Sequence, residues 1–552
     1  MAVMGIDLGT SGVRALIVGE DGVPLAEGRA PLSSPDRPMP GRMEQPAEAW
    51  WPQVERAVRQ ALQAYRADGA GKTSIGGGRA APGAGPETQT GSEMARAGMT
   101  GRARPELRAL SVTGTSGTVV FLGRDGRPLR PAILYGDLRA VREAAEVDAA
   151  GRSLWRRLGY RMTPAFALPK VLWVKRHEPA VWKETARVVH AADYVVGLLT
   201  GEAGVTSESD ALKMGFDLLE RRWPSEVLTA LGVDPARLPR VVPSGAVLGT
   251  IGRWAAKRTG LPVGLPVVAG MTDGATSQLA AGAAFPGAWA SVIGSTLVVK
   301  GVTRTLLADP DGGVYAHRHP DGWWMPGGAS NAGGQALVER FGADRLERLS
   351  RLARFPSPYL VYPLAGRGER FPFLAPAAEG FVVPVGDPTG PAGAPPGPTS
   401  VPAEEAASGS KGEPGEREEA ALFAGYLEGM GYIERLALER LLSLGAVIEG
   451  PIRVAGGTVR NRAWLRVRAS ILNRPLSVPA MPEAAYGAAI LAGAHVLGQS
   501  VAAMVGAWVR PVEVIEPDPD RVSLYEARYR RFVEALRARG FLPDTWSSPK
   551  EA

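Results

Sequence analysis

The 552-residue sequence contains no cysteine, which excludes disulfides, thiolate nucleophiles and sulfur-ligated metals. Histidine is nearly as scarce. Five occur, His177, His190, His317, His319 and His495, and none stands at metal-ligand spacing among acidic neighbours. His317 and His319 alternate as on one strand face and are expected to form a surface pair. No apolar run approaches the ~18 residues needed to span a bilayer, and the N-terminus enters a strand at once. The expectation is therefore no signal peptide, no membrane partner and a cytoplasmic location. Basic blocks flanked by stacking aromatics are also missing. The formal net charge is +7, but the basic residues are mostly arginine and interleaved with Asp and Glu. This argues against nucleic acid as a partner and for a solvated basic surface useful near anionic phosphates.

What is present is a large apolar fraction, 45% of residues, enough for sizeable cores over two to four domains. Residues 67–104 and 385–417 lack apolar periodicity and are rich in Gly, Pro and Ser. Both are expected as disordered insertions, and residues 546–552 as a loose tail. Elsewhere the pattern alternates strands and helices. Three Gly/hydroxyl hairpins are expected, over Val3–Gly28, Leu110–Leu129 and Ala288–Gly301, with Asp21-Gly22 and Asp125-Gly126 as tight turns. Their recurrence suggests two related α/β halves. Phe423, Leu427, Met430, Ile433, Ala437 and Leu441 recur at helical spacing, and the small residues around Tyr486 suit a closely packed helix.

Four stretches carry chemistry. In Asp7-Leu8-Gly9-Thr10-Ser11-Gly12, two apolar runs flank a turn whose glycines let backbone N–H groups approach a phosphate. Asp7 at the strand end is suited to Mg²⁺ or a sugar hydroxyl, although such turns also occur for purely structural reasons. Val267–Thr272 is an apolar strand ending at Asp273. An acid there is either a helix N-cap or the base that takes a proton from a hydroxyl attacking a phosphoryl group. Arg453–Asn461 reads as strand, glycine turn and helix start, a cradle for phosphate or purine or an ordinary tight turn. Gly327–Gly334 reads as a second glycine-rich turn.

Together these stretches resemble the FGGY family of carbohydrate kinases, within the sugar kinase, actin and Hsp70 superfamily. Asp7–Gly12 is similar to its first phosphate motif, Gly270–Asp273 to the strand with its catalytic acid, and Gly294-Ser295-Thr296 to its second phosphate hairpin. Ala455–Asn461 is similar to the adenosine motif and Glu483–Ala489 to the C-terminal signature helix. The resemblance implies an α/β fold of two ribonuclease H-like domains with a cleft between them. A sugar-binding domain would cover 1–250 and an ATP-binding domain 251–545.

Within the family the chain resembles D-ribulokinases, through Thr113–Thr118, Gly294–Lys300, Gly313–His317, Gly327–Asn331 and Tyr362–Pro372. Ala167–Lys170 to His177–Pro179 is instead similar to xylulokinases, which keeps D-xylulose, or another polyol or sugar of the family, as the alternative. The implied activity is transfer of the ATP γ-phosphoryl group to the terminal hydroxyl of a ketopentose. Asp273 would be the base; Asp7 would hold sugar hydroxyls and Mg²⁺. Ser11, Gly12, Val13, Arg14 and Ser116 would line the sugar path. Thr10, Ser295, Ala329, Gly456, Gly457, Thr458, Val459, Arg460 and Asn461 would hold ATP. Trp464 lies near the base by resemblance, but its type favours the core, and Arg14 and Ser116 have plain alternatives as a strand-face ion pair and a turn hydroxyl. A non-catalytic ATP-binding relative is disfavoured because both acids are present. The expected assembly is a monomer or homodimer.

Overall fold

The computed structural model describes residues 1–67, 104–386 and 414–542. Two mixed sheets dominate it. The first is built from β1 (Ala2–Leu8), β2 (Gly12–Gly19), β3 (Pro24–Pro31), β4 (Leu107–Gly114), β5 (Val247–Thr250) and β6 (Pro266–Thr272), in the order β5-β6-β4-β1-β2-β3. β1 and β6 run parallel to β4 on either side of it. Both faces of this sheet are covered, so its central strands read as continuous apolar runs rather than alternating ones.

On one face, Met4, Ile6 and Val13 pack with Trp50, Val54 and Val58 of helix α1 (Trp50–Ala67). Helix α2 (Ala191–Thr200) and the short helix α3 (Glu208–Ala211) follow in this half. Helix α4 (Asp273–Ala280) begins where β6 ends.

The second sheet comprises β7 (Trp289–Ile293), β8 (Leu297–Gly301), β9 (Tyr315–Arg318), β10 (Trp324–Ser330), β11 (Ile452–Ala455), β12 (Leu476–Pro479) and β13 (Pro511–Ile515), in the order β9-β10-β8-β7-β11-β12-β13. Its core is filled from α5 (Pro414–Ser443), α6 (Arg462–Leu472) and α8 (Pro519–Ala538). The apolar positions from Phe423 to Leu441 are buried on α5, as their spacing predicts.

Between the sheets lies α7 (Ala484–Leu497), which comes from the second half of the chain and covers the other face of the first sheet. Its small residues permit very close contact. A Cβ on Gly5 would sit 1.8 Å from the Ala485 carbonyl oxygen, and one on Gly487 would sit 1.9 Å from that of Thr276. Tyr486 Oη donates to the Gly22 carbonyl at 2.9 Å.

Several expectations are corrected. The first sheet holds residues 266–272 through β4–β6 pairing, so the division expected at 250 falls inside that unit. Leu110–Leu129 is not a hairpin, because Val119–Leu122 pairs into a separate four-stranded sheet; the tight turn at Asp125-Gly126 does form. The hairpins at Gly9–Gly12 and Gly294–Thr296 also form. Gly327 and Gly328 lie in β10 rather than in a turn. They are needed where a side chain would meet Lys300 and the Phe371 ring. Ala67 closes α1 and residues 414–417 open α5. The rest of the two expected insertions, apart from Arg104 and Val385–Gly386, lies outside the described residues, as does the tail at 546–552.

Candidate active site

The parallel strands bring two acids to one edge of the first sheet. Asp7 on β1 stands in register with Thr113 on β4, and Thr272, the last residue of β6, stands in register with Gly114. Asp7 and Asp273 thus occupy the carboxyl ends of strands two positions apart, about 10 Å by the usual strand spacing. Ligands of α/β sheets bind at such an edge. Burial pushes the Asp7 carboxyl up to about 7, the Asp273 carboxylate adds to this, and Arg14 opposes it. Asp7 Oδ1 is buried without a hydrogen-bond partner.

Asp273 opens α4, and the Gly274 N–H donates to its Oδ1 at 2.7 Å. Burial raises its pKa, opposed by that N–H, by Lys300 and Lys213, and by the backbone of Ser116. The α4 entry is fixed by threonines: Thr113 Oγ1 donates to the Met271 carbonyl at 2.7 Å, and Thr276 Oγ1 to that of Asp273 at 3.0 Å.

The turn after β4 faces these acids. Thr115 and Thr118 share a hydroxyl hydrogen bond of 2.7 Å, and Ser116 Oγ is buried without a partner. A fully buried lysine fixes the turn: Lys170 Nζ donates to the carbonyls of Gly117 at 2.9 Å, Leu134 at 2.8 Å and Ala165 at 3.2 Å. Burial holds the Lys170 ammonium well below its ordinary pKa.

In the opening turn, the Gly9 N–H donates to Gly12 O at 3.0 Å, and Gln45 Nε2 donates to the Thr10 carbonyl at 3.3 Å. Ser11 is exposed, whereas the Val13 side chain is in the core, which leaves only its backbone for a ligand. Arg14 pairs with Glu27 at 2.7 Å and Glu483 at 3.3 Å, so it ties β2 to the start of α7 beside Asp7.

On the second sheet, β7 and β11 run side by side and parallel, so the turns at Gly294–Thr296 and Gly456–Arg460 leave the same edge. Ser295 is exposed. The turn is seated by Gly334 N–H to Gly294 O at 2.8 Å and Gln335 N–H to Ser295 O at 3.1 Å. Gly456 has a φ of +98°, and a Cβ there would meet the Ile293 carbonyl oxygen at 2.3 Å, so only glycine fits. Gly457 is exposed and opens on free space.

Thr458 Oγ1 is buried without a partner. Val459 packs on the core, and Arg460 is exposed. Asn461 caps α6: its Oδ1 accepts from the Trp464 N–H at 2.9 Å, and its Nδ2 donates to Ser350 Oγ at 2.6 Å. Trp464 is wholly buried, as its residue type suggested. Arg370 Nε donates to the Ala329 carbonyl at 2.8 Å, which fixes that stretch of β10.

Sequence reasoning missed three groups beside Asp273. Lys213 donates from Nζ to the Ser116 carbonyl at 3.4 Å. Lys300 reaches across from β8, and its Nζ lies 2.9 Å from where a Cβ on Gly274 would stand. His317 is only 1% exposed and His319 2%, which corrects the surface pair. The first-sheet half covers His317: Ser209 Oγ on α3 lies 3.1 Å from its Nδ1, and the same hydroxyl accepts from the Thr272 N–H at 3.1 Å. Burial and the nearby Lys300 and Lys213 hold His317 well below its ordinary pKa, so it is neutral. The available signal was the scarcity of lysine in an arginine-rich chain: a lysine facing inward on a hairpin strand is a choice that composition does not explain.

Among the described residues no three His, Asp or Glu side chains gather as a metal cluster. Asp7, with its unpartnered buried oxygen, fits the single-carboxylate mode in which Mg²⁺ takes its other ligands from phosphates and water.

This architecture is that of the two-domain sugar kinases, related to the actin and Hsp70 ATPases. Models of the FGGY family of carbohydrate kinases match residues 94–280 (N-terminal domain) and 290–496 (C-terminal domain), and the chain belongs to that family. It is 28% identical to a xylulose kinase of Streptomyces rubiginosus over 94% of each chain. It is 24% identical to an autoinducer-2 kinase of Escherichia coli, with 95% of this chain and 92% of the other covered. A match to the Escherichia coli K12 xylulose kinase, at 26% identity, spans 58% of this chain and 59% of that one. The solved xylulose kinase of Rhodospirillum rubrum superposes with a TM-score of 0.75, at 25% identity over 98% of this chain and 99% of that one.

Proposed function

We propose that the protein phosphorylates the terminal hydroxyl of a ketopentose with ATP, and that D-xylulose is preferred to D-ribulose. The observation that carries this is the pair Asp7 and Asp273 on one sheet edge, with Asp273 flanked by Lys213 and Lys300. Phosphoryl transfer needs positioning, charge neutralisation and one carboxylate to orient the nucleophile. Asp273, whose burial raises its pKa against the opposing Gly274 N–H and the two lysines, accepts the hydroxyl proton. Ser116 and the turn held by Lys170 orient the sugar from the first-sheet side. Ser295, Gly456 and Gly457 present backbone N–H groups to phosphates from the second, with Thr10 on the facing turn; Ala329 and the segment from Thr458 to Asn461 border the nucleoside. Asp7 would hold Mg²⁺, whose chemistry is neutralisation of phosphate charge. Closure of the halves would exclude water and limit ATP hydrolysis.

D-Ribulose remains a second reading because of one feature: the turn Thr113–Thr118 resembles that of D-ribulokinases. The test is ADP release with D-xylulose, D-ribulose, L-ribulose and glycerol. The highest kcat/KM is expected for D-xylulose. A higher value for D-ribulose would reverse the assignment, and no sugar-stimulated turnover at all would overturn the kinase reading.

A further inference from the structure

Lys300 occupies an unusual place. It sits on β8, in register with Ala290 and Gly327, on the strand that follows the phosphate hairpin of the second sheet. Its ammonium, however, reaches the first residues of α4, in the other half of the molecule. Two glycines accommodate it. A Cβ on Gly327 would come within 2.5 Å of its Cγ, and one on Gly274 within 2.9 Å of its Nζ. Lys300 is half-buried, and it makes no ion pair with any described residue. Leaving a partly desolvated ammonium without a carboxylate contact is costly unless an anion completes it.

The charged and titratable groups facing this point are Asp273 on α4, Asp210 on α3, Tyr315 and His317 on β9, Lys213 beyond α3, Asp7 across the sheet edge, and Arg370, which acts on Tyr315. The phenol of Tyr315 is held below its ordinary pKa by Lys213 and Lys300 against its burial, and neutral His317 adds no charge. The locus between the Gly294–Thr296 turn and Asp273 therefore sets the two lysines Lys213 and Lys300 against the acids before substrate binds.

We propose that Lys300 is a catalytic residue that contacts the γ-phosphoryl group in transit. The proposal rests on the kinase reading above. As the terminal sugar oxygen bonds to phosphorus, its proton passes to Asp273. The bond from phosphorus to the β–γ bridging oxygen breaks, and its electron pair leaves with ADP. Lys300 neutralises the equatorial oxygens during this exchange and beforehand opposes the rise that burial imposes on the Asp273 carboxyl. Both roles follow from one position, because its β8 backbone moves with the nucleotide half while its ammonium lies at the base of the sugar half. Closure would bring the cation to the reacting atoms.

The test compares the full-length wild type with Lys300→Met and Lys300→Arg, using ADP release with the best sugar of the panel. For Lys300→Met, kcat should fall by about 10²–10³-fold, the usual loss for one charge-stabilising group, with KM for the sugar nearly unchanged. The acid limb of its kcat profile should move to higher pH, because Asp273 loses a neighbouring cation. Lys300→Arg should recover part of kcat and return the limb toward its wild-type position. Thermal melting identifies a misfolded Met variant; in that case Lys300→Gln, which also removes the charge, carries the test. Wild-type kcat and an unmoved limb in whichever of these charge-free variants folds would overturn the proposal. Absence of wild-type turnover with every sugar would instead overturn the kinase reading.

Discussion

At the scale of single residues, the two acids should differ in what they do to activity and to stability. Asp273→Asn keeps shape and removes the base. Turnover should fall by about 10²–10⁴-fold, the usual range for general-base loss, while ATP binding measured by calorimetry persists. Asp7 behaves differently because burial pushes its carboxyl from 3.8 up to about 7. Between those values the folded protein binds more protons than the unfolded chain, so stability falls as pH rises through that window. Asp7→Asn removes this penalty. The ligand-free variant should melt at a higher temperature than wild type at about pH 8, with the gain shrinking as pH falls toward about 4. It should also lose activity. An unchanged melting temperature at the higher pH would show that Asp7 is not strained by ionisation.

At the scale of elements, Lys170 is the clearest case of a side chain working through a turn. Lys170→Met leaves the Gly117 and Ala165 carbonyls without their lysine donor, at about 1–3 kcal/mol for each buried group left unpaired, whereas that of Leu134 keeps the Asp137 N–H. The expected kinetic result is a raised KM for the sugar with a smaller change in KM for ATP, read from initial rates. What the sequence revealed also divides at this scale. The strand ends at Asp7 and Asp273 and the turns at Gly294 and Gly456 were legible, because glycine, hydroxyl and acid placement is local chemistry. The roles of Lys170, Lys213, Lys300 and His317 were not. Each depends on a residue dozens of positions away, as His317 depends on Ser209, and no local pattern records such a meeting. The seat of β6 in the first sheet was hidden for the same reason, since parallel pairing with β4 joins segments more than 150 residues apart.

At the scale of the whole molecule, α7 unites the two halves. Val3, Leu16, Val268 and Met271 from the first sheet share one core with Ala485, Ala489, Ile490 and Trp508 from the far end of the chain. Gly487→Val should be poorly tolerated, because its side chain would collide with the Thr276 backbone. Loss of soluble protein or a large drop in melting temperature is expected, and wild-type melting would show that the contact can relax.

The shared core has a consequence for how the gene can be divided. A cut in the exposed stretch near Phe285 severs the chain between the sheets but leaves each product lacking a wall of the other's interior. Neither fragment should be recovered alone in native form, whereas the two produced together should assemble into an active, non-covalent enzyme. The protein is in this sense a pair of interdependent pieces joined by a convenient tether, and it should serve as a complementation reporter whose signal is phosphoryl transfer.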